Sequence, residues 1–211
     1  MASTHEDKIW TDEARKLEGI RRDVEEARGE GLSVLVVAHF ENVLSSVSKK
    51  LRECSIEFKT YASGDPAALC AARREGGAAP SVWVVLASHL STSGYAVPPK
   101  SGEVSLRVLV AEHHPLLARD EALLAALLRL PCRCSVTFHA ALNDALLARV
   151  VGEGTMGLLK MLGHTDEECI SHPVLGKAIR GVQEKIARRA RGDLPTASAE
   201  DWFKYNTGSS T

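Results

Sequence analysis

The chain has 211 residues, 45% of them hydrophobic and 25% charged, with a formal net charge of −1 at pH 7. That length serves one domain with an appendage rather than two full domains, and that composition excludes a disordered or fibrous chain. Near-zero charge leaves no broad basic footprint for nucleic acid, and no stretch approaches 18 uninterrupted apolar residues, so neither nucleic-acid binding nor membrane insertion is expected.

The N-terminus, "MASTHEDKIW", has no cationic start leading into an apolar run, so a cytoplasmic protein is expected. From Thr11, read as a cap, "TDEARKLEGIRRDVEEARGEG" sets Leu17, Ile20 and Val24 on one helical face with acids in the first turn. Asp12 and Glu13 are helix-start charges there rather than a metal-binding acid pair. "LSVLVVA" (32–38) is the near-continuous apolar run of a strand covered on both faces. "ENVLSSVSKKLREC" returns to helical spacing, "SIEFKTY" reads as a strand, and "DPAALCAARREGG" as a short helix stopped by glycines. "SVWVVLA" and "SLRVLVA" are two further strands, "PLLARDEALLAALLRL" a helix opened by Pro115, and "CRCSVTFHA" a fifth strand. Helices alone follow, over 143–151, 155–162 and from His172.

Five strands separated by helices predict a doubly wound parallel α/β sheet over 9–150, a helical extension over 151–191 and a polar, flexible tail over 192–211. Within that tail "DWFKY" is an aromatic cluster suited to docking on the body or, as the weaker alternative, on a partner. In the last long helix Ser171 is read as the cap, Pro173 lies in the first turn, and Val174, Ala178, Val182 and Ile186 face the sheet.

Five cysteines (Cys54, Cys70, Cys132, Cys134, Cys169) form no CxxC pair and are expected as reduced thiols. One short strand carrying "CRC" and His139 cannot close a tetrahedral site, so no metal is expected. Ligand chemistry in such a sheet belongs to the loops after Ala38, Tyr61, Ala87, Ala111 and His139. None is a phosphate cradle: G-x-x-x-x-G-K-[ST] is absent, and Gly176-Lys177 is followed by alanine inside a helix. "SHLSTSGYAVPPKSG" offers hydroxyls and His89 but no fixed acid partner. The adjacent histidines of "EHHP" (112–115) point different ways and read as loop or helix-start residues.

"GLLKMLGHTDEECISHPVLGKAIRGVQEKIARR" resembles the segment by which the preprotein translocase motor SecA leaves its second motor domain and enters its long scaffold helix. "DKIWTDEARKLEGIRRDVEEARGEGLSVLVVAHFENVLSSVSKKLRE" is similar to the start of that domain, and "SVTFHAALNDALLARVVG" to its SRFFLSLEDDLMRIFG stretch, so residues 7–191 are covered in the family's order. The resemblance implies a RecA-like fold of the helicase C-terminal type, which in that family completes an ATP site carried mainly by a first motor domain. That first domain is not part of this sequence. Where the family reads TNMAGRGTDI this chain has "SHLSTSGYAV", with Gly94 kept, Ser93 in place of the arginine and Ala96 in place of the aspartate. Where the family supplies arginine fingers this chain has "ALLAALLRLPCRC", with only Arg129 on an arginine position. Losing an arginine finger alone costs about 10³ to 10⁵ in rate.

The resemblance therefore implies a noncatalytic SecA-like module that binds a protein, in preprotein translocation. No residue is assigned a catalytic role. Ser88, His89, Ser93, Gly94 and Arg129 are the vestigial nucleotide-facing candidates, and no cofactor is expected beyond weak ATP or ADP binding with a partner domain. The alternative is the second-domain half of a split ATPase whose phosphate loop lies on a separate chain.

Overall fold

The computed structural model of the chain describes residues 5–61, 80–90, 105–130, 132–149, 169–171 and 173–208. In chain order the elements are β1 (His5–Trp10), α1 (Glu13–Gly29), β2 (Ser33–Ala38), α2 (Glu41–Glu53), β3 (Lys59–Tyr61), β4 (Val82–Leu86), β5 (Ser105–Val110), α3 (Leu117–Leu127), β6 (Arg133–Ala141), α4 (Pro173–Ala187) and α5 (Ala199–Thr207). Single 3₁₀ turns occupy Ala87–His89 and Leu147–Arg149. All six strands join one parallel sheet in the order β1-β6-β5-β2-β4-β3, a doubly wound α/β fold.

Every residue of β2 is buried, and its side chains alternate between the two faces of the sheet. Val34 and Val36 pack with Ile20 and Val24 of α1 and Val47 and Leu51 of α2. Leu35 and Val37 pack on the opposite face with Val108, Val110 and Leu123 and Leu127 of α3. A third cluster joins Ile9 and Ala140 at the β1 end of the sheet to Ile179 of α4 and Trp202 and Phe203 of α5. Trp10 lies so close over α1 that a Cβ on Gly19 would meet its Cζ2 at 2.1 Å, so only glycine fits there.

The sheet has six strands rather than five and starts before residue 9. β1 escapes the apolar-run criterion because it is an edge strand with only Ile9 and Trp10 buried. Its free side is partly covered by an antiparallel bridge in which Ile9 N donates to Ile170 O at 3.0 Å and Ile170 N donates to Ile9 O at 2.8 Å. The expected strand "SIEFKTY" shrinks to Lys59–Tyr61, and the helix expected over 143–151 to the turn Leu147–Arg149. The helices expected over 65–77 and 155–162 lie outside the described residues.

Asp12, not Thr11, caps α1, its Oδ1 accepting from Arg15 N at 2.9 Å. α3 starts at Leu117 because His114 Nδ1 holds Leu116 N at 3.0 Å, keeping Pro115 in the preceding turn. The Ser171 hydroxyl donates to Glu6 Oε1 at 3.2 Å, and the residue between it and α4 lies outside the described residues. Among the described side chains of α4 the inward residues are Ile179, Val182, Gln183 and Ile186, while Ala178 is exposed, one step around the helix from Ile179, and the Val174 side chain lies outside the described residues. Cys54, Cys134 and Cys169 are free, whereas Cys132 is disulfide-bonded, a correction to five reduced thiols that sequence spacing could not signal.

The largest correction concerns 192–211, expected as a flexible tail. Ser198 caps α5 by accepting from Asp201 N at 3.1 Å, and Gly208 ends it at φ 67°, in the left-handed region. Trp202 and Phe203 are buried, and Trp202 Nε1 donates to Asp193 Oδ1 at 2.9 Å. Asn206 ties the helix back to the segment before it, its Oδ1 accepting from Leu194 N at 2.6 Å and its Nδ2 donating to Leu194 O at 3.1 Å. Composition is misleading here because two aromatic side chains outweigh the surrounding Ser and Thr in buried area. Replacing Trp202 by Ala should destabilise the protein by about 3–5 kcal/mol in denaturant unfolding; a change within the scatter of surface substitutions would mean that α5 is not docked.

Candidate ligand crevice

Strand order dictates where a ligand crevice lies. The connection after β2 leads toward β3 and that after β5 leads toward β6, so adjacent strands send the chain in opposite directions. The carboxyl ends of two such strands form the crevice at which open α/β sheets take ligands. It is built here from His39 and Phe40 after β2 and from Glu112, His113 and His114 after β5, and these side chains occupy its inner part.

Glu112 Oε1 accepts from both His39 N and Phe40 N at 3.1 Å, immediately before α2. Helix starts of this kind present N–H groups to phosphate in nucleotide-binding folds. Here a side chain of the chain itself holds the position. Burial pushes the Glu112 carboxyl up to about 8, against the pull of Lys16 and the two backbone donors, so near neutral pH it is chiefly the uncharged acid, still able to accept.

Asp120 enters the same space from the first turns of α3. Its Oδ1 accepts from His114 N at 3.0 Å, and its Oδ2 lies 2.8 Å from His113 Nδ1 and accepts from Gln183 Nε2 at 2.8 Å. His39 Nε2 approaches Oδ1 to 2.9 Å, a close contact without hydrogen-bond alignment. Burial works against the charge, but His113 and His39 overcome it and hold this carboxyl far below the ordinary carboxylate range. His113 is correspondingly raised to about 9: burial opposes the charge, and Asp120 and Asp7 more than restore it. Burial, with His39 adding repulsion, lowers His114 to about 3, so it is a neutral ring whose Nδ1 accepts from Leu116 N.

Aromatic contacts complete the filling. The His114 ring stacks on Phe40 at 5.3 Å and meets Trp202 of α5 edge-on at 5.5 Å. Beside this plug a cavity of about 580 Å³ remains, bordered by His39, Ser88, Arg119, Asp193 and Trp202. Next to Glu112, buried Lys16 pairs with Asp144 at 2.6 Å, and on the α1 face His139 accepts from Trp10 Nε1 at 3.2 Å while Asp23 pairs with Lys8 at 2.6 Å.

The sequence candidates do not converge. Ser88 is exposed on the turn after β4 and borders the cavity, and His89 follows it on the same turn. Ser93 and Gly94 lie outside the described residues. Arg129 follows α3 just before β6, at the amino ends of the strands, so a strand length of about 17 Å separates it from the crevice end. What the residue patterns did not reveal is "EHHP". The available signal was position: three ionisable residues directly after the buried strand β5, with Asp120 in the helix that follows. His113 and His114 do point apart, but both point inward, onto Phe138 and Phe40.

No protein-family model matches the chain, and no curated protein is similar to it in sequence. Among solved structures, the C-terminal part of the Fun30 ATPase domain is similar at 10% identity and a TM-score of 0.45, over 81% of this chain and 54% of that one. The chain thus spans about half the length of that structure. The α/β fold class rests on the strand order and pairing themselves. No helix among the described residues is long and apolar enough to cross a membrane.

The crevice predicts a stability optimum in mildly acidic solution. His113, raised to about 9 from an ordinary 6.5, stabilises the fold fully below 6.5 and loses that contribution as pH rises to 9. Glu112, raised to about 8 from 4.5, keeps a proton the unfolded chain releases, so it too removes stability between pH 4.5 and 8. On the acid side, unfolded His114 binds a proton between pH 6.5 and 3 that the folded ring refuses, and Asp120 loses its contribution as pH falls from 3.8. Between pH 4.5 and 6.5 the Glu112 and His114 contributions oppose each other, so the thermal midpoint should be level across that range and fall below about pH 4 and above pH 6.5 toward pH 9. Glu112→Gln keeps the acceptor without the titration and should flatten the slope between pH 6 and 8; an unchanged slope would contradict a buried acid at this position.

Proposed function

We propose that the chain is a noncatalytic RecA-like module, of the type that serves as the second motor domain in SecA, and that it acts by binding a protein in preprotein export. The observation that carries the noncatalytic reading is the filled crevice: Glu112 sits on the amides a phosphate would use, and Trp202 closes over His114. A nucleotide phosphate would have to displace the buried Glu112 side chain from those amides. The export setting rests on the SecA resemblance of residues 157–189 and 7–53. For the partner, the rim of the crevice supports a surface built on Ser88 and on the α5 segment, where Leu194 and Tyr205 are 61% and 59% exposed. Arg129, at the far edge, is not part of it.

Calorimetric titration of the chain with ATP and with ADP should give no saturable heat, and a photo-crosslinking residue at Tyr205 should capture a translocation component from the protein's own cells. Nucleotide binding tighter than about 10 μM, close to −7 kcal/mol, would overturn the noncatalytic reading and favour the split ATPase. Repeated capture without any translocation component would remove the export setting.

A further inference from the structure

Beyond Ala187 the turns of α4 continue briefly, Arg188 N donating to Glu184 O at 3.3 Å and Ala190 N to Ile186 O at 2.8 Å. The chain then meets the end of α5, where Arg191 N donates to Asn206 O at 2.7 Å and Leu194 N to Asn206 Oδ1 at 2.6 Å. This junction gathers Lys185, Arg188, Arg189 and Arg191 beside Lys204, and all five are exposed. The ion pairs of the region, Arg180 with Glu121 and Arg119 with Asp193, leave all five out. Arg188 Nε donates instead to the Glu184 carbonyl, and Lys204 lies 5.4 Å over the Tyr205 ring. Neighbouring acids are engaged or face elsewhere: Asp193 holds Arg119 and Trp202, and Glu200 and Asp201 lie in the first turn of α5, at its opposite end. Glu184 is the one acid of α4.

A helix C-terminus favours a cation in its last turn, but Lys185 and Arg189, four residues apart, repel each other. An arriving anion relieves that crowding. Two of the three large apolar side chains exposed among the described residues, Leu194 and Tyr205, stand at the same junction. Arginine together with tyrosine is the composition of protein interfaces, whereas binding to nucleic acid needs a basic footprint that a formal net charge of −1 does not spread over the molecule. We infer that the joined ends of α4 and α5 bind an acidic segment of a partner protein, its carboxylates on Arg188, Arg189 and Arg191 and an apolar side chain against Leu194 and Tyr205. Arginine takes a carboxylate through two parallel N–H donors, which gives such a segment a fixed register. The inference rests on the protein-binding reading and names the chemistry of the partner.

The probe is a short fluorescent peptide of glutamates interspersed with leucine and tryptophan, titrated with the full chain and followed by anisotropy at low and at high salt. It should bind saturably and weaken as salt rises, and the same peptide with lysine for glutamate, a single-stranded oligonucleotide and phosphatidylglycerol vesicles should each bind at least about tenfold more weakly. Arg188→Glu combined with Arg189→Glu should weaken the acidic peptide by at least about tenfold, as should Arg191→Glu combined with Tyr205→Ala, while Lys49→Glu on α2 should leave it unchanged. Should one double variant fail to fold, the other and the probe series still decide. A folded double variant that binds like the parent chain, even if it melts earlier, would assign these cations to the helix ends alone and overturn the proposal. So would an oligonucleotide or vesicles binding as tightly as the peptide, or no saturable binding up to about 1 mM. If the peptide fails while a photo-crosslinking residue at Tyr205 still captures a protein, the acidic partner is excluded and the protein-binding reading stands; failure of both would end both.

Discussion

Asp120 is a carboxylate sunk among three histidines and a glutamine, and the arrangement of the crevice depends on its keeping a negative charge there. Burying an ion costs several kcal/mol, which only close opposite charge and well-directed donors can offset. His113 supplies the charge, His114 N–H and Gln183 Nε2 supply direction, and His39 adds a third ring at 2.9 Å. These partners come from the ends of β2 and β5 and from α4, so one side chain of α3 fixes how four elements meet. Gln183 also donates to His114 O at 2.8 Å, which locks the β5–α3 connection to α4 a second time.

The consequence for function follows from where this hub sits. In an open α/β sheet the carboxyl ends of diverging strands are the place left free for a ligand, and the N–H groups at the next helix start are free to receive an anion. In this chain both features are used internally, by Glu112 on the α2 start and by the His–Asp network in the crevice. α5 adds a lid whose own attachment is doubled: Trp202 binds Asp193, Arg119 pairs with Asp193, and Asn206 holds Leu194. Stability has been built at the location where open α/β sheets take ligands, and what remains accessible beside it is the cavity bordered by His39, Ser88 and Trp202.

The sheet was legible to the extent that its strands are buried on both faces. β2, β4, β5 and β6 announce themselves as apolar runs, and α1 and α2 as amphipathic stretches, because burial and periodicity are local properties of the sequence. β1 was not legible, being an edge strand that inherits its place from pairing with β6 and from the Ile9–Ile170 bridge. α5 was half legible: "DWFKY" signalled docking, while the polar residues around it signalled a mobile end. The candidate crevice was hardest. Its location after β2 and β5 follows from topology, but the pairing of His113 with Asp120 and the reach of Glu112 back to His39 exist only in space. A motif search finds groups aligned along the chain, and here partners lie between 6 positions apart, His114 and Asp120, and 81, His39 and Asp120.

If the crevice is a permanently filled part of the fold, its amides should open only when the whole protein does. Native-state hydrogen exchange at His39 and Phe40, which donate to Glu112, and at His114, which donates to Asp120, measures this directly. The account predicts exchange for all three with the free energy of global unfolding, in step with the central amides of β2. Exchange through a much cheaper opening, shared with α5 but not with β2, would contradict it and would describe a crevice that α5 only covers.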